Sequence, residues 1–170
     1  MSGRVRLGLV ALLLVFLADQ GSKWWILNAA DLPHRRVIPL LPVLDLTMVW
    51  NQGVTFGLLH AAGAFAPVLL AGVALLVVAA LVLWLRRAET LLAAGALGAI
   101  AGGALGNILD RFRFGAVVDF IHVHAGALEF FPWVFNLGDS AIVCGVGALV
   151  LDGLLPRSGD GKGPLARARG

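Results

Sequence analysis

Two long runs without a single charge dominate this chain. Ala61–Leu85 contains no Lys, Arg, Asp or Glu, and neither does Thr90–Leu109. Each is long enough to cross the hydrocarbon core of a bilayer as a helix, which needs about 20 mostly apolar residues. A water-facing protein of 170 residues needs charge to cover its surface, and this one has only 14% charged against 59% hydrophobic residues. That balance excludes an ordinary cytosolic enzyme, a disordered protein and a nucleic-acid binder. Its net charge of +3 is explained by membrane topology, with no need for a nucleic-acid partner. The single cysteine, Cys144, rules out an intrachain disulfide and any zinc site built from cysteines.

Two further spans carry ionisable groups. Leu7–Ala18 is apolar, is followed by Asp19 and Lys23, and resumes at Trp24-Trp25-Ile26-Leu27. Phe130–Leu151 is apolar apart from Asp139. The first span has Arg4 and Arg6 ahead of its core, like a signal peptide. Asp19 and Lys23 stand where a small-residue cleavage site would be, so a retained helix is expected. Basic residues set the orientation. Arg4, Arg6, Arg86, Arg87, Arg157, Lys162, Arg167 and Arg169 fall on one side of a four-span protein, and Lys23, Arg35, Arg36, Arg111 and Arg113 on the other. The eight-to-five bias puts both termini in the cytoplasm. Residues 1–156 form the expected membrane domain, and 157–170 a mobile basic cytoplasmic tail.

The outer connections are long. In the first, Leu44, Leu46, Met48 and Trp50 alternate with Val43, Asp45, Thr47 and Val49, which predicts a strand on an apolar surface. Val117–Ile121 is a second strand-like run. The expected fold is all-α, with four transmembrane helices and a small extracytoplasmic β platform. Trp24, Trp25, Trp50 and Trp133 suit an interfacial belt on that side.

A charge at the bilayer centre costs at least ~2.5–3.5 kcal/mol, so the polar residues retained in or beside the spans are informative. They are Asp19, Lys23, Asn51, Asn107, Asp110, Arg111, Asp119, Asn136 and Asp139. Asp19 and Lys23 share a helix face, as do Asn107 and Arg111, and Asn136 and Asp139 lie three apart. From Leu7 to Asp19 the helix rises about 18 Å, which carries Asp19 beyond the midplane. The polar groups therefore converge near the outer surface. Two aspartates brought together there suit aspartic proteolysis: like charges at close range keep one proton between them, so one carboxyl activates water and the other protonates the carbonyl. Asp119 and Asp139 are the candidate pair. Spacing alone leaves Asp19, Asp45 and Asp110 as competitors, and each Asp could equally be a structural group.

Other chemistries fit less well. Ser22 beside Lys23 points elsewhere on a helix. His34, His60, His122 and His124 form no His-Glu-x-x-His motif, and a metal held by His122, His124 and Glu129 is a minor alternative. Asn136-Leu137-Gly138-Asp139 departs from a Gly-x-Gly-Asp element. A small ion-coupled carrier or a structural subunit are the alternatives from other classes. A carrier predicts ionisable groups near the midplane or on both sides.

Five blocks are more specific. They are Asp19-Gln20-Gly21-Ser22-Lys23, Asn51–Gly57, Gly102–Arg111, Val117-Val118-Asp119-Phe120-Ile121 and Phe131–Ala141. In content and order they resemble the lipoprotein signal peptidase (signal peptidase II) family. Gly138 and Thr55 stand where Ala is common, and both keep the residue small. The resemblance implies a bacterial inner-membrane aspartic peptidase without a metal or other cofactor. Its substrate is a diacylglyceryl prolipoprotein, cut before the lipidated cysteine, with membrane lipid as surroundings and globomycin as inhibitor. Asp119 and Asp139 become the catalytic dyad. Asn51, Asn107, Arg111 and Asn136 line the site, and Asp19 and Lys23 support it. Gly95, Gly98, Gly102, Gly103 and Gly106 are expected to let helices pack closely.

Overall fold

The computed structural model describes residues 1–53, 66–124 and 134–156. Helix α1 (Gly3–Trp24) starts at a Ser2 cap and continues through a π-helical stretch, Trp25–Ala29. A single turn, α2 (Leu32–Arg35), leads into β1 (Val37–Leu41) and β2 (Leu44–Asn51). Helix α3 (Ala66–Leu85) and α4 (Leu91–Phe114) form the next pair. Strands β3 (Val117–Val123) and β4 (Val134–Phe135) precede α5 (Leu137–Leu154). Helices α1, α3, α4 and α5 are long and apolar enough to cross a membrane. The mostly helical fold with a small sheet is the one expected from sequence. The proposed tail at 157–170, Trp133, His60 and Glu129 lie outside the described residues.

Helix α4 is the axis of the bundle. Its spanning window is 61% buried, against 11–17% for the other three, and it packs against α1, α3 and α5. Glycines explain how tightly it is held. A Cβ on Gly98 would lie 2.0 Å from the Gly8 carbonyl oxygen, one on Gly102 2.4 Å from that of Leu12, and one on Gly103 2.3 Å from that of Gly138. Backbone meets backbone at each, so only glycine fits. Gly95 is the exception to the expected stripe, with open space where its Cβ would be. Elsewhere Leu14, Leu17, Leu76, Val143 and Leu154 are exposed, as hydrocarbon-facing residues should be.

The spans run longer or start later than hydropathy suggests. The helix of the third span does not stop at Leu109 but reaches Phe114. Arg111 and Arg113 therefore belong to its last turn and not to a loop. There they complement the helix dipole, and Gly115 ends the helix with φ +71. The fourth helix begins only at Leu137, capped by Asn136.

The four strands form an antiparallel sheet in the order β1-β2-β3-β4. Strand β1, which the sequence pattern does not indicate, carries Pro39 on the sheet edge, where a missing N–H costs no ladder bond. The predicted β2 forms, but its alternation is broken by an irregularity in the β2–β3 register between Leu46 and Val49. Trp50 is consequently 45% exposed and meets Phe114 edge-on, with ring centroids 5.5 Å apart. Leu46, Val118 and Phe120 pack with Ile26 and Leu32 in one buried cluster, which seats the sheet on the end of α1. Asp119 lies between Val118 and Phe120, so strand alternation aims it at the opposite face.

The two ends of the bundle are distinct. Arg4 donates to the Glu89 carbonyl, and Thr90 Oγ1 bonds Asp152 Oδ1 at 2.6 Å. These contacts gather the start of α1, the α3–α4 turn and the end of α5. The sheet and the sequence-selected polar residues occupy the other end.

Candidate active site

Helix periodicity places Lys23 one turn beyond Asp19, and their ion pair is 2.8 Å long and buried. Lys23 Nζ also lies 2.8 Å from Asp110 Oδ2 and donates to Asn107 Oδ1 at 2.9 Å. All three ammonium protons are thus used. Asp19 Oδ1 accepts from the Gly138 amide at 2.9 Å, joining α1 to the start of α5. Gly106 lets this happen, because a Cβ there would sit 2.1 Å from Asp19 Oδ2. Buried charges are costly unless every polar atom finds a partner. Here the two protons of Gln20 Nε2 are shared among Asp19 Oδ2, Asp110 Oδ1 and the Gly106 carbonyl, each 3.1–3.2 Å away.

Asn107 passes the network to α5. Its Nδ2 donates to Asp139 Oδ1 at 2.7 Å, while its Oδ1 accepts from Asn136 Nδ2 at 3.1 Å. Asn136 and Asp139 cap α5 reciprocally. Asn136 Oδ1 accepts from the Asp139 amide at 2.9 Å, and Asp139 Oδ2 accepts from the Asn136 amide at 3.2 Å. The three-residue spacing seen in sequence is therefore a capping box that fixes the Asp139 carboxyl at the helix N-terminus.

Asp119 comes to the same place from the sheet. Its Oδ1 accepts from Asn136 Nδ2 at 2.7 Å, and its Oδ2 from Asn51 Nδ2 at 2.8 Å. Asn51 is held in turn by the Gly53 amide, which donates to its Oδ1 at 2.8 Å. Asn136 thus bonds both carboxylates, one through its side chain and one through its backbone. Asp119 is 1% exposed, whereas Asp139 is only half-buried. Burial, with the Asp139 charge adding to it, pushes the Asp119 carboxyl up from 3.8 to about 6 against the opposing bonds from Asn51 and Asn136.

The eight residues to which the resemblance gives a site role lie at this end of the bundle. Arg111, four residues beyond Asn107, bonds the Asn107 carbonyl at 3.3 Å, and its Nε is buried with no partner among the described residues. Asp45 and His124, candidates for other roles, lie 3.0 Å apart on the sheet. No group of three or more potential metal ligands occurs among the described residues. The network also contains two residues not assigned a role from sequence, Gln20 and Asp110. Asp110 follows Asn107 by three positions, which puts it on the same helix face; that spacing was the available signal.

A capped aspartate, a buried aspartate of raised pKa and a shared asparagine make a pair suited to holding one proton between two carboxyls. The sequence profile of the family described as Signal peptidase (SPase) II matches residues 11–155. The chain belongs to the signal peptidase II family. It is 47% identical over 154 residues to the lipoprotein signal peptidase of Methylorubrum extorquens, covering 89% of this chain and 87% of that one. With the lipoprotein signal peptidase of Methylocella silvestris it shares 41% identity over 170 residues, covering 100% and 98%. A solved bacterial membrane enzyme superposes with a TM-score of 0.74 at 25% identity, covering 88% of this chain and 94% of that one. Membership makes the chain a membrane peptidase of the aspartic type, and the carrier and subunit alternatives fall away.

Proposed function

We propose that Asp119 and Asp139 form the catalytic dyad of a lipoprotein signal peptidase, which removes signal peptides from diacylglyceryl prolipoproteins by cutting before the lipidated cysteine. The peptidase activity on prolipoproteins follows from family membership. The residue roles rest on one observation: Asn136 bonds the carboxyls of both Asp119 and Asp139.

In this mechanism the buried Asp119 holds the shared proton and Asp139, more open to solvent, is the base. Asp139 takes a proton from water as the oxygen attacks the scissile carbonyl, and Asp119 gives its proton to the carbonyl oxygen as charge develops there. The tetrahedral gem-diol then breaks its C–N bond: the proton held by Asp139 passes to the leaving amine, and one gem-diol hydroxyl returns its proton to Asp119 as the carboxylic acid forms, which restores the dyad. Asn51, Asn107 and Asn136 fix the carboxyls, which reduces reorganisation during the reaction. Arg111, whose guanidinium lies in the field of both Asp119 and Asp139, supplies positive charge beside the dyad as the oxyanion develops.

The helix ends support a site on the periplasmic side of the inner membrane, with both termini cytoplasmic. The arginine-bearing ends of α1 and α3 lie opposite the polar cluster, as the positive-inside bias requires. A signal peptide embedded as a helix then presents its cleavage point at the depth of Asp139, while the acyl chains stay in lipid. Residues 1–156 carry this peptidase unit. Globomycin, implied by the resemblance as an inhibitor, is expected to compete with substrate.

The deciding experiment is in vitro cleavage of a diacylglyceryl-modified prolipoprotein beside its unlipidated precursor. Cleavage of the lipidated form alone is the expected result. Equal cleavage of both overturns the substrate assignment, and inhibition by a chelator, relieved by zinc, overturns the metal-free dyad.

A further inference from the structure

We propose that Asp110 is a positioning residue for the dyad, acting in two ways: it anchors the strand that carries Asp119, and it balances the charge of Lys23 behind the site. The proposal rests on the assignment of Asp119 and Asp139 as the reacting pair.

Asp110 is 0% exposed and touches neither aspartate of the dyad. Its Oδ2 accepts from the Val118 amide at 3.1 Å. Val118 immediately precedes Asp119, and a β3 amide that bonds a helix side chain fixes the strand where Asp119 leaves it. The same oxygen lies 2.8 Å from Lys23 Nζ, and Oδ1 accepts from Gln20 at 3.1 Å. One carboxylate therefore links α4, α1 and β3. A residue needed only to neutralise Lys23 could sit anywhere around the ammonium; this one is also bonded to the backbone beside Asp119.

The charge count gives the second role. Asp110 is paired with Lys23, as Asp19 is, and also lies in the field of the Arg111 guanidinium, so its carboxylate offsets positive charge next to the dyad. Lys23 reaches Asp139 through Asn107. The charged groups facing Asp119 are Lys23 from α1, Arg111 from α4 and Asp139 from α5, with Asn51 and Asn136 as neutral donors. Removing the Asp110 charge makes the surroundings of the dyad more positive. Its shared proton is then held less tightly, and both limbs of the pH–rate profile move to lower pH.

The test uses the full chain in proteoliposomes with a diacylglyceryl-modified prolipoprotein. Asp110→Asn keeps an oxygen that can accept from Val118 and loses the charge. Asp110→Glu keeps the charge and displaces it. Asp110→Ala loses both. We expect Asp110→Asn to shift the pH–rate profile about one unit to lower pH with KM unchanged. Asp110→Glu should keep the wild-type profile with kcat reduced about tenfold, and Asp110→Ala should combine the shift with a larger loss of kcat. An unshifted profile in Asp110→Asn overturns charge balancing. Wild-type kcat in Asp110→Glu and Asp110→Ala overturns anchoring. Failure of all three variants to fold marks Asp110 as purely structural and overturns both roles. Asp119→Asn, run in parallel, separates this from the dyad itself: turnover by that variant removes the dyad assignment whatever Asp110 does.

Discussion

The two ends of this bundle both carry charge but handle it differently. At the sheet end Asp19, Lys23, Asp110, Asp119 and Asn136 are buried, and each is held by at least two other groups. At the opposite end Arg86 and Arg87 are exposed, and the ties among described residues include single bonds such as Thr90 to Asp152. Water or lipid headgroups can satisfy an exposed arginine, and its position hardly matters. A buried ion has only its protein neighbours, so each member of the sheet-end network constrains the others. Among the described residues the buried polar network lies at the sheet end, where the proposed dyad sits.

The sharpest way to break the comparison is to remove one carboxylate at the sheet end. Asp119→Asn and Asp139→Asn should each lose about a thousandfold or more in turnover while still inserting. Cleavage of the lipidated precursor measures this, and substantial turnover by either variant removes that residue from the dyad. Gly102→Val tests the packing that holds the two ends in register. Its Cβ would meet the Leu12 carbonyl at 2.4 Å, and backbone cannot yield as a side chain can. A loss of about 3 kcal/mol is expected, read by unfolding in micelles.

At the sheet end, Asp119 should make stability depend on pH. The Asp119 carboxyl is raised from 3.8 to about 6 in the folded protein, so the fold binds this proton more tightly than the unfolded chain does. The stabilisation this gives is complete below about pH 4 and is lost as pH rises to about 6. Relative to Asp119→Asn, the wild type should lose on the order of 2–3 kcal/mol across that window and nothing more above it. Unfolding of both proteins from pH 3 to pH 8 reads the difference, and parallel curves would sink the assignment. The smallest effect is expected at the opposite end. Thr90→Val removes the cap on the Ala93 amide and the bond to Asp152. It should cost about 1 kcal/mol and leave turnover unchanged.

Some features of this arrangement are legible in residue order because they are local. The i,i+4 spacing of Asp19 and Lys23 became an ion pair, and the strand-like runs at Leu44–Trp50 and Val117–Ile121 lie within β2 and β3. Others depend on contacts distant in sequence. The alternation of β2 puts Trp50 on the same face as Leu46, but with the register irregularity against β3 between them Leu46 is buried and Trp50 exposed. Hydropathy ends the third span at Leu109, since it cannot see that Asp110 and Arg111 find partners inside the protein. Residue order marks Asp110 as unusual but not its role, because its partners Lys23 and Gln20 lie on α1 and Val118 on β3.

What the sequence determined alone is the solvent and the period. Charge-free runs of span length admit only helices in a bilayer, because every backbone amide must be satisfied within the segment, and the retained polar residues fall near one set of helix ends. What only the tertiary structure decided is which of those residues touch. Glycine contacts at 98, 102, 103 and 106 bring α4 against α1 and α5, and the sheet swings Asp119 over Asn136. Hydrogen bonds act over about 3 Å, a distance that spacing along a chain cannot specify between separate elements.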